Sequence, residues 1–199
     1  MKKLLIGVTG RTGSDRIAGC GKSTVAQMLV ESLYLEPYAL ADPIYAMVNA
    51  GFNIDGRSSF WSDRNQKKKP IPTFSKERDI SLRYLLETLG TECGRYIVCE
   101  DIWTILATEK YKESSRGLVI SDIRFTNEQE WLVEQGGFLV HVIRDNFFNE
   151  DATQNHPSNI PLPIYDRDFI IYNNCSLEEL RERVALCTMK IIEEQKHCL

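Results

Sequence analysis

Residues 4–24, LLIGVTGRTGSDRIAGCGKST, decide the fold. The continuous apolar run 4–8 predicts a parallel strand that is buried on both faces. Glycines follow the run, and apolar residues at helical spacing begin after Ser23. Strand, glycine-rich loop and helix start, in this order, predict a phosphate-binding loop in which backbone N–H groups and the helix dipole face an anion.

The loop can be aligned with the phosphate-binding motif G-x-x-x-x-G-K-[S/T] in two ways. In the first, Gly10 is the first glycine and residues 15–20 are an insertion of six residues ahead of Gly21. In the second, Arg16 replaces the first glycine, and Gly19 and Gly21 form the cradle. We favour the first alignment, in which the surplus residues bulge out of the loop.

The residues at the start of the helix keep their places in both alignments. Lys22 is expected to reach the β- and γ-phosphates of a nucleoside triphosphate, and the Ser23 hydroxyl is expected to bind Mg²⁺. The predicted nucleotide-binding residues are Gly10, Gly13, Gly21, Lys22, Ser23 and Thr24.

Composition excludes several functional classes. The 199 residues carry a net charge of −4, which argues against a general nucleic-acid-binding protein. No apolar run approaches the length of a membrane span, and the run near the N-terminus is too short for a secretion signal. The six cysteines show neither C-x-x-C nor zinc spacing, so we predict free thiols in the cytoplasm.

Short apolar runs alternate with helical patterns along the whole chain. This alternation predicts an α/β fold with a doubly wound, mostly parallel sheet of about five strands, and ligands at the carboxyl ends of the strands. The predicted strands are 4–8, 38–41, 118–122, 138–143 and 169–172; the predicted helices begin near 23, 42, 81, 96, 127 and 176. We expect the first helix to end at Pro37, the second at Gly51 and the third at Gly90 or Gly94. We predict one domain, 1–199, with a substrate-side insertion at about 52–78 and a lid-like loop at about 145–165.

Charged residues that follow strands or helices are candidates for catalysis. Asp122 and Arg124 end one predicted strand, and Arg144 ends another. A carboxylate there can hold Mg²⁺, and arginines can neutralise a phosphoryl group in transfer. Each also has an ordinary structural explanation, since Asp122 could cap a turn and Arg144 or Arg95 could form a surface ion pair.

Residues 52–78 are rich in proline and cations and show weak periodicity. The ordinary interpretation is a solvated loop. The functional interpretation is a substrate-facing insertion, in which cations bind phosphate and Phe60 and Trp61 stack on a base.

Several segments together resemble a known family. They are GVTGRTGS at 7–14, GKSTVA at 21–26, ADP at 41–43, LGTECGR at 89–95, DIW at 101–103, ISDIRFTNE at 120–128 and SLEEL at 176–180. In this order they resemble the phage-type deoxynucleoside monophosphate kinases, over roughly residues 4 to 181. The resemblance implies a P-loop kinase fold and transfer of the ATP γ-phosphate to a deoxynucleoside monophosphate.

The resemblance also implies roles for individual residues. Lys22 and Ser23 match the ATP–Mg²⁺ site, with Mg²⁺ as cofactor and ATP as co-substrate. Asp122 and Arg124 match the reaction centre. The residues implied on the substrate side are Asp42, Arg64, Lys67 and Arg95. His156 departs from the family pattern, because Asn159 stands where a glutamate is expected.

Two other functions stay open on sequence alone. One is a different small-molecule P-loop kinase, and the other is a non-catalytic nucleotide-binding protein with an interrupted loop. The expected partners are ATP and a deoxynucleoside monophosphate, without nucleic acid or membrane, and a homodimer is left open.

Overall fold

The computed structural model describes residues 3–13, 19–61, 64–72, 74, 78–145 and 160–197. Its contacts divide the chain into two compact units. The first, called the sheet unit, comprises residues 1–40 and 107–199; the second, called the helical unit, comprises residues 41–106. Residues 15–18 of the predicted insertion, His156 and most of the predicted lid-like loop lie outside the described residues.

Strands and helices alternate as predicted. The strands are β1 (Leu4–Thr12), β2 (Glu36–Tyr38), β3 (Gly117–Ile120), β4 (Phe138–Arg144) and β5 (Phe169–Tyr172). The α-helices are α1 (Lys22–Leu33), α2 (Asp42–Phe52), α3 (Arg64–Lys68), α4 (Leu82–Glu87), α5 (Ile102–Glu113), α6 (Thr126–Glu134) and α7 (Leu177–His197). A 3₁₀ turn covers Ser59–Trp61, and a π-helix covers Thr88–Val98.

The five strands form one sheet in the order β2-β3-β1-β4-β5. Every neighbouring pair is parallel, so the predicted fold class is confirmed. Strand β1 lies at the centre, which explains its continuous apolar run. Its interior side chains are buried against elements on both faces of the sheet, and Ile6 and Val8 are wholly inaccessible.

Strand β1 is longer than its apolar run. The run ends at Val8, but pairing with β4 continues from Ile6 opposite Phe138 to Thr12 opposite Arg144. Backbone hydrogen bonds to a neighbouring strand therefore extend the strand through residues that hydropathy alone marks as loop.

Strand β2 lies at residues 36–38, two residues before the predicted 38–41. Pro37 suggested a break, but β2 is an edge strand that pairs with β3 alone. An edge strand tolerates a proline because one side of its backbone needs no ladder hydrogen bond.

In the helical unit the prediction that Gly90 or Gly94 ends a helix was wrong. Helix α4 continues directly into the π-helix, which runs through both glycines to Val98. Trp103 explains Gly94, because a Cβ there would lie 2.4 Å from its ring. Its indole N–H also donates to the Gly90 carbonyl at 2.8 Å. Gly94 therefore provides space for a tryptophan rather than a helix stop, and a Cβ at Gly90 would lie 2.9 Å from the Cδ1 atom of Ile44.

Three other boundaries in this unit also differ from prediction. The helix predicted to begin near 96 begins at Ile102, because the π-helix continues to Val98. Helix α2 passes through Gly51 to Phe52 and ends at Asn53, whose φ is 54°. The segment 52–78, expected to be mainly loop, contains the 3₁₀ turn and α3. Trp61 packs with the core of this unit, which comprises Val48, Ile71, Leu82 and Leu85. Among the described residues no helix is long and apolar enough to span a membrane.

Candidate active site

The second half of the glycine-rich loop leads directly into α1. Gly19 and Gly21 adopt positive φ angles of 98° and 93°, which favour glycine. The Gly21 carbonyl accepts hydrogen bonds from the N–H groups of Thr24 and Val25 at 3.0 and 3.1 Å. Lys22 is therefore the first helical residue, and Ser23 and Thr24 are exposed in the first turn. The first N–H groups of a helix lack intrahelical partners and attract an anion.

Gly10 lies inside β1, opposite Val142 of β4. A Cβ at this position would lie 2.1 Å from the Sγ of Cys20 and 3.3 Å from the Val142 carbonyl oxygen. Cys20 is wholly buried in this notch. The lack of a side chain at Gly10 thus seats Cys20 against the sheet, a packing reason that sequence alone did not reveal.

The first half of the loop starts beside the end of β4. The N–H of Gly13 donates to the carbonyl oxygen of Arg144 at 3.2 Å, just beyond the pairing of Thr12 with Arg144. Sheet register therefore places the exposed Arg144 next to the start of the loop. This location follows from the carboxyl ends of parallel strands sharing one edge.

Asp122 lies just beyond β3 and connects two neighbouring strands. Its Oδ1 atom accepts the N–H of Leu40 at 2.7 Å, beyond the end of β2. On the other side, the N–H of Ile123 donates to the Val8 carbonyl of β1 at 3.2 Å. The carboxylate therefore stands where β2 and β3 end, beside Val8 of β1.

Arg124 is placed by a buried glutamate that sequence reasoning did not assign a role. The Oε2 atom of Glu128 accepts the N–H groups of Arg124 at 2.6 Å and Phe125 at 3.1 Å. Glu128 is 2% exposed, and its carboxylate lies in the first turn of α6. An acidic residue three or four positions beyond a turn, at a helix start, was the signal that could have identified it.

A groove lies along the outer side of α1 and the start of α7. Its volume is about 430 Å³, and it begins at Ser23. The lining residues are Ser23, Thr24, Gln27, Met28, Glu31, Leu177 and Arg181. The groove therefore adjoins the helix start and combines apolar side chains with one guanidinium and the carboxylate of Glu31.

The helical unit contains a cluster around Tyr45, here called the Tyr45 cluster: Asp42, Tyr45, Arg57 and Lys67. The Arg57 guanidinium forms an ion pair with Asp42 and lies 4.3 Å from the ring centroid of Tyr45. Lys67 donates to the Tyr45 hydroxyl at 2.9 Å, and its Nζ lies 5.3 Å from the same ring. The structure thus brings together Asp42 and Lys67, which were predicted, with Tyr45 and Arg57, which were not.

The other two predicted substrate residues are placed differently. Arg95 is 7% exposed, and it donates to the Glu100 carbonyl at 3.2 Å. Its side chain is therefore buried rather than at the surface. Arg64 begins α3, and its side chain lies outside the described residues.

The sheet order and the glycine loop that ends at Lys22 and Ser23 define a P-loop kinase. Comparison with solved structures agrees on the fold: a gluconokinase from Sinorhizobium meliloti superposes with a TM-score of 0.50 at 15% identity, covering 98% of this chain and 97% of the other. The deoxynucleotide monophosphate kinase family matches residues 60–184. The chain belongs to that family, and it is therefore an enzyme.

Relatives among known proteins carry the same family name. A protein of Acanthamoeba polyphaga mimivirus is 27% identical over 197 residues, covering 92% of this chain and 95% of that protein. The deoxynucleoside-5'-monophosphate kinase of Escherichia phage T5 is 30% identical over 118 residues, covering 50% of this chain and 47% of the phage enzyme. The family match begins after the glycine-rich loop, so the roles expected for Lys22 and Ser23 rest on the fold and the motif alone.

Proposed function

We propose that the chain transfers the γ-phosphate of ATP to a deoxynucleoside monophosphate, with α1 and the glycines before it as the ATP-phosphate site. The observation that carries the proposal is the geometry of Gly19 and Gly21, two left-handed glycines directly ahead of Lys22 and Ser23 at a helix start. This geometry supports the second alignment of the motif. In that alignment Gly10 acts through packing, and Gly13 marks the start of the loop.

The nucleoside of ATP is proposed to lie in the groove that begins at Ser23. Met28 and Leu177 offer apolar contacts to a base, and Arg181 offers a cation. A groove of about 430 Å³ is in the size range of small-molecule sites. The helix start then holds the phosphates at one end of the nucleotide, while the groove holds the other.

Mg²⁺ is the proposed cofactor, and the residues present fit it. Mg²⁺ prefers oxygen ligands, keeps several waters and often binds through phosphates and one or two carboxylates. The Ser23 hydroxyl at the helix start and the Asp122 carboxylate at the strand edge are such ligands. The described residues contain no group of three or more His, Cys, Asp or Glu side chains that could hold a metal. When bound, Mg²⁺ neutralises charge on the phosphates.

The chain's cations are proposed to position the reactants and stabilise the transferred group. An oxygen of the acceptor phosphate attacks the γ-phosphorus in line, the bond to the bridging oxygen of the β-phosphate breaks, and ADP leaves. Lys22 neutralises the β- and γ-phosphates during this step. Two arginines are proposed to neutralise the negative charge on the phosphoryl group during transfer. They are Arg124, whose backbone is held by Glu128, and Arg144 at the end of β4.

The Tyr45 cluster is the proposed binding site for the acceptor's phosphate. Arg57 and Lys67 present two cations on one aromatic ring, and Asp42 holds the guanidinium in place. Arginine and lysine beside each other suit a phosphate dianion. Arg64 and Arg95 remain predicted substrate residues.

The proposal is tested by ADP release with each of the four deoxynucleoside monophosphates and their ribose counterparts, with the Lys22→Ala variant as control. We expect turnover with at least one deoxynucleotide, and a kcat/KM at least about 100-fold lower for the variant. Wild-type protein that binds ATP but turns over no nucleotide would overturn it.

The free thiols at all five described cysteines support a reducing, cytoplasmic location.

A further inference from the structure

We propose that Asn173, just beyond β5, is a positioning residue that clamps the second half of the phosphate-binding loop. The inference rests on the proposed function, because it assigns this loop to ATP. Neither the motif nor the family resemblance assigns a role to this side chain.

The backbone of Asn173 is fixed by the sheet. Its N–H donates to the Ile143 carbonyl of β4 at 2.7 Å, which continues the β4–β5 pairing one residue beyond Tyr172. From this fixed backbone the side-chain amide donates to the Cys20 carbonyl at 2.7 Å. The hydrogen bond joins residues that are 153 positions apart in sequence, so the end of the sheet holds the loop directly.

The same amide explains why position 21 is glycine. A Cβ at Gly21 would lie 2.2 Å from the Nδ2 atom of Asn173, and the φ of 93° disfavours other residues independently. The amide of Asn173 thus fills the space that a side chain at position 21 needs. Gly21 and Asn173 fit each other as a pair.

Cys20 is held from two sides. Its side chain is wholly buried in the notch at Gly10, while its carbonyl accepts the Asn173 amide. Because a trans peptide is planar, a fixed carbonyl also fixes the opposite direction of the next N–H, which belongs to Gly21. The clamp therefore aims the first backbone donor of the proposed phosphate site before ATP arrives.

The test compares Asn173→Asp and Asn173→Ala with wild type. Aspartate keeps the shape of asparagine but replaces the donor with a carboxylate that faces the Cys20 carbonyl. We expect the apparent Kd for Mg²⁺–ATP to rise about tenfold or more in Asn173→Asp and by less in Asn173→Ala. The KM for the deoxynucleotide should change little. Calorimetric titration measures Mg²⁺–ATP binding without turnover, and steady-state kinetics measures each KM and kcat.

The adjacent Asn174 provides the matched control. Its side chain is exposed, and Asn174→Asp adds the same charge one residue away. Equal ATP affinities of the two aspartate variants, or wild-type affinity in Asn173→Asp, would overturn the clamp. If Asn173→Asp fails to fold, the test rests on Asn173→Ala alone. Unchanged ATP affinity in Asn173→Ala would then overturn the proposed clamp. Wild-type protein that binds Mg²⁺–ATP without turnover would refute the proposed function and leave this test intact.

Discussion

The two proposed substrate regions of this kinase are built in different ways. The ATP region of the sheet unit uses backbone groups at strand ends and a helix start, with glycines at positions 19 and 21. The Tyr45 cluster of the helical unit uses side chains from positions 42 to 67 that meet on one ring. The first design is set by strand order, whereas the second depends on how particular side chains pack.

This difference decides how a substitution acts in each region. A backbone site is damaged when a Cβ is added in the wrong place, since the chain itself must move. A side-chain cluster is damaged when one charge is removed, and its fold is expected to survive. The predictions for Gly10 and Arg57 use this contrast directly.

The largest effect is expected from Lys22, the one cationic side chain of the α1 start. Lys22→Ala should lower kcat/KM at least about 100-fold, the usual cost of removing one group that stabilises charge in a transition state. Folding should be unchanged, as checked by thermal melting. Lys112→Ala is the control, because Lys112 is exposed and pairs with Glu109 on α5. Equal activity of the two variants would show that Lys22 is not part of the active site.

The next effect tests the backbone design at Gly10. Gly10→Ala forces a methyl group against the Cys20 sulfur and should lower the free energy of unfolding by about 1–3 kcal/mol. Cys20→Ala in the same chain removes the sulfur and should restore most of that loss, measured by chemical denaturation. Gly51→Ala is the control, because nothing lies within 4 Å of a Cβ there. A double variant no more stable than Gly10→Ala would contradict packing as the reason for this glycine.

The sequence predicted the backbone region well and the side-chain region only in part. Apolar runs and the glycine-lysine-serine motif predicted the sheet and the α1 start, because both depend on local patterns. The meeting of Tyr45 with Arg57 could not be predicted, since it needs the fold of residues between α2 and the 3₁₀ turn. Gly90 and Gly94 misled for the same reason, because contacts with Ile44 at Gly90 and with Trp103 at Gly94 decide their use.

A smaller effect is expected from the Tyr45 cluster. Arg57→Ala should raise the KM for the deoxynucleotide about tenfold, because a half-exposed charge-assisted contact to phosphate is lost. The KM for ATP should stay unchanged, in contrast to Asn173→Asp. Arg83→Ala is the matched control, because Arg83 pairs with Glu87 within the same unit. Steady-state kinetics at saturating ATP measures the shift, and a change in the KM for ATP alone would refute the assignment.

A buried pair in the sheet unit concerns pH rather than substrates. His141 of β4 and Asp168 lie 3.0 Å apart, and both side chains are almost inaccessible. The Asp168 carboxylate also accepts the N–H of Tyr165 at 3.0 Å and the amide of Gln129 at 3.3 Å. Burial lowers the pKa of His141 below its ordinary value of 6.5, and the hydrogen bond and charge of Asp168 oppose that shift only partly.

The smallest effect is expected from this pair, which makes the stability of the sheet unit depend on pH. Below pH 6.5 the unfolded chain takes up a proton on His141 that the folded chain still excludes, so stability falls as pH falls toward the lowered pKa. Above pH 6.5 His141 is neutral in both the folded and the unfolded chain, so its contribution to the free energy of unfolding is fully present. His141→Gln keeps a donor for Asp168 without titrating, so it should flatten this part of the curve of unfolding free energy against pH. Denaturation of both proteins from pH 5 to 8 measures the slopes, and identical slopes would show that another group titrates.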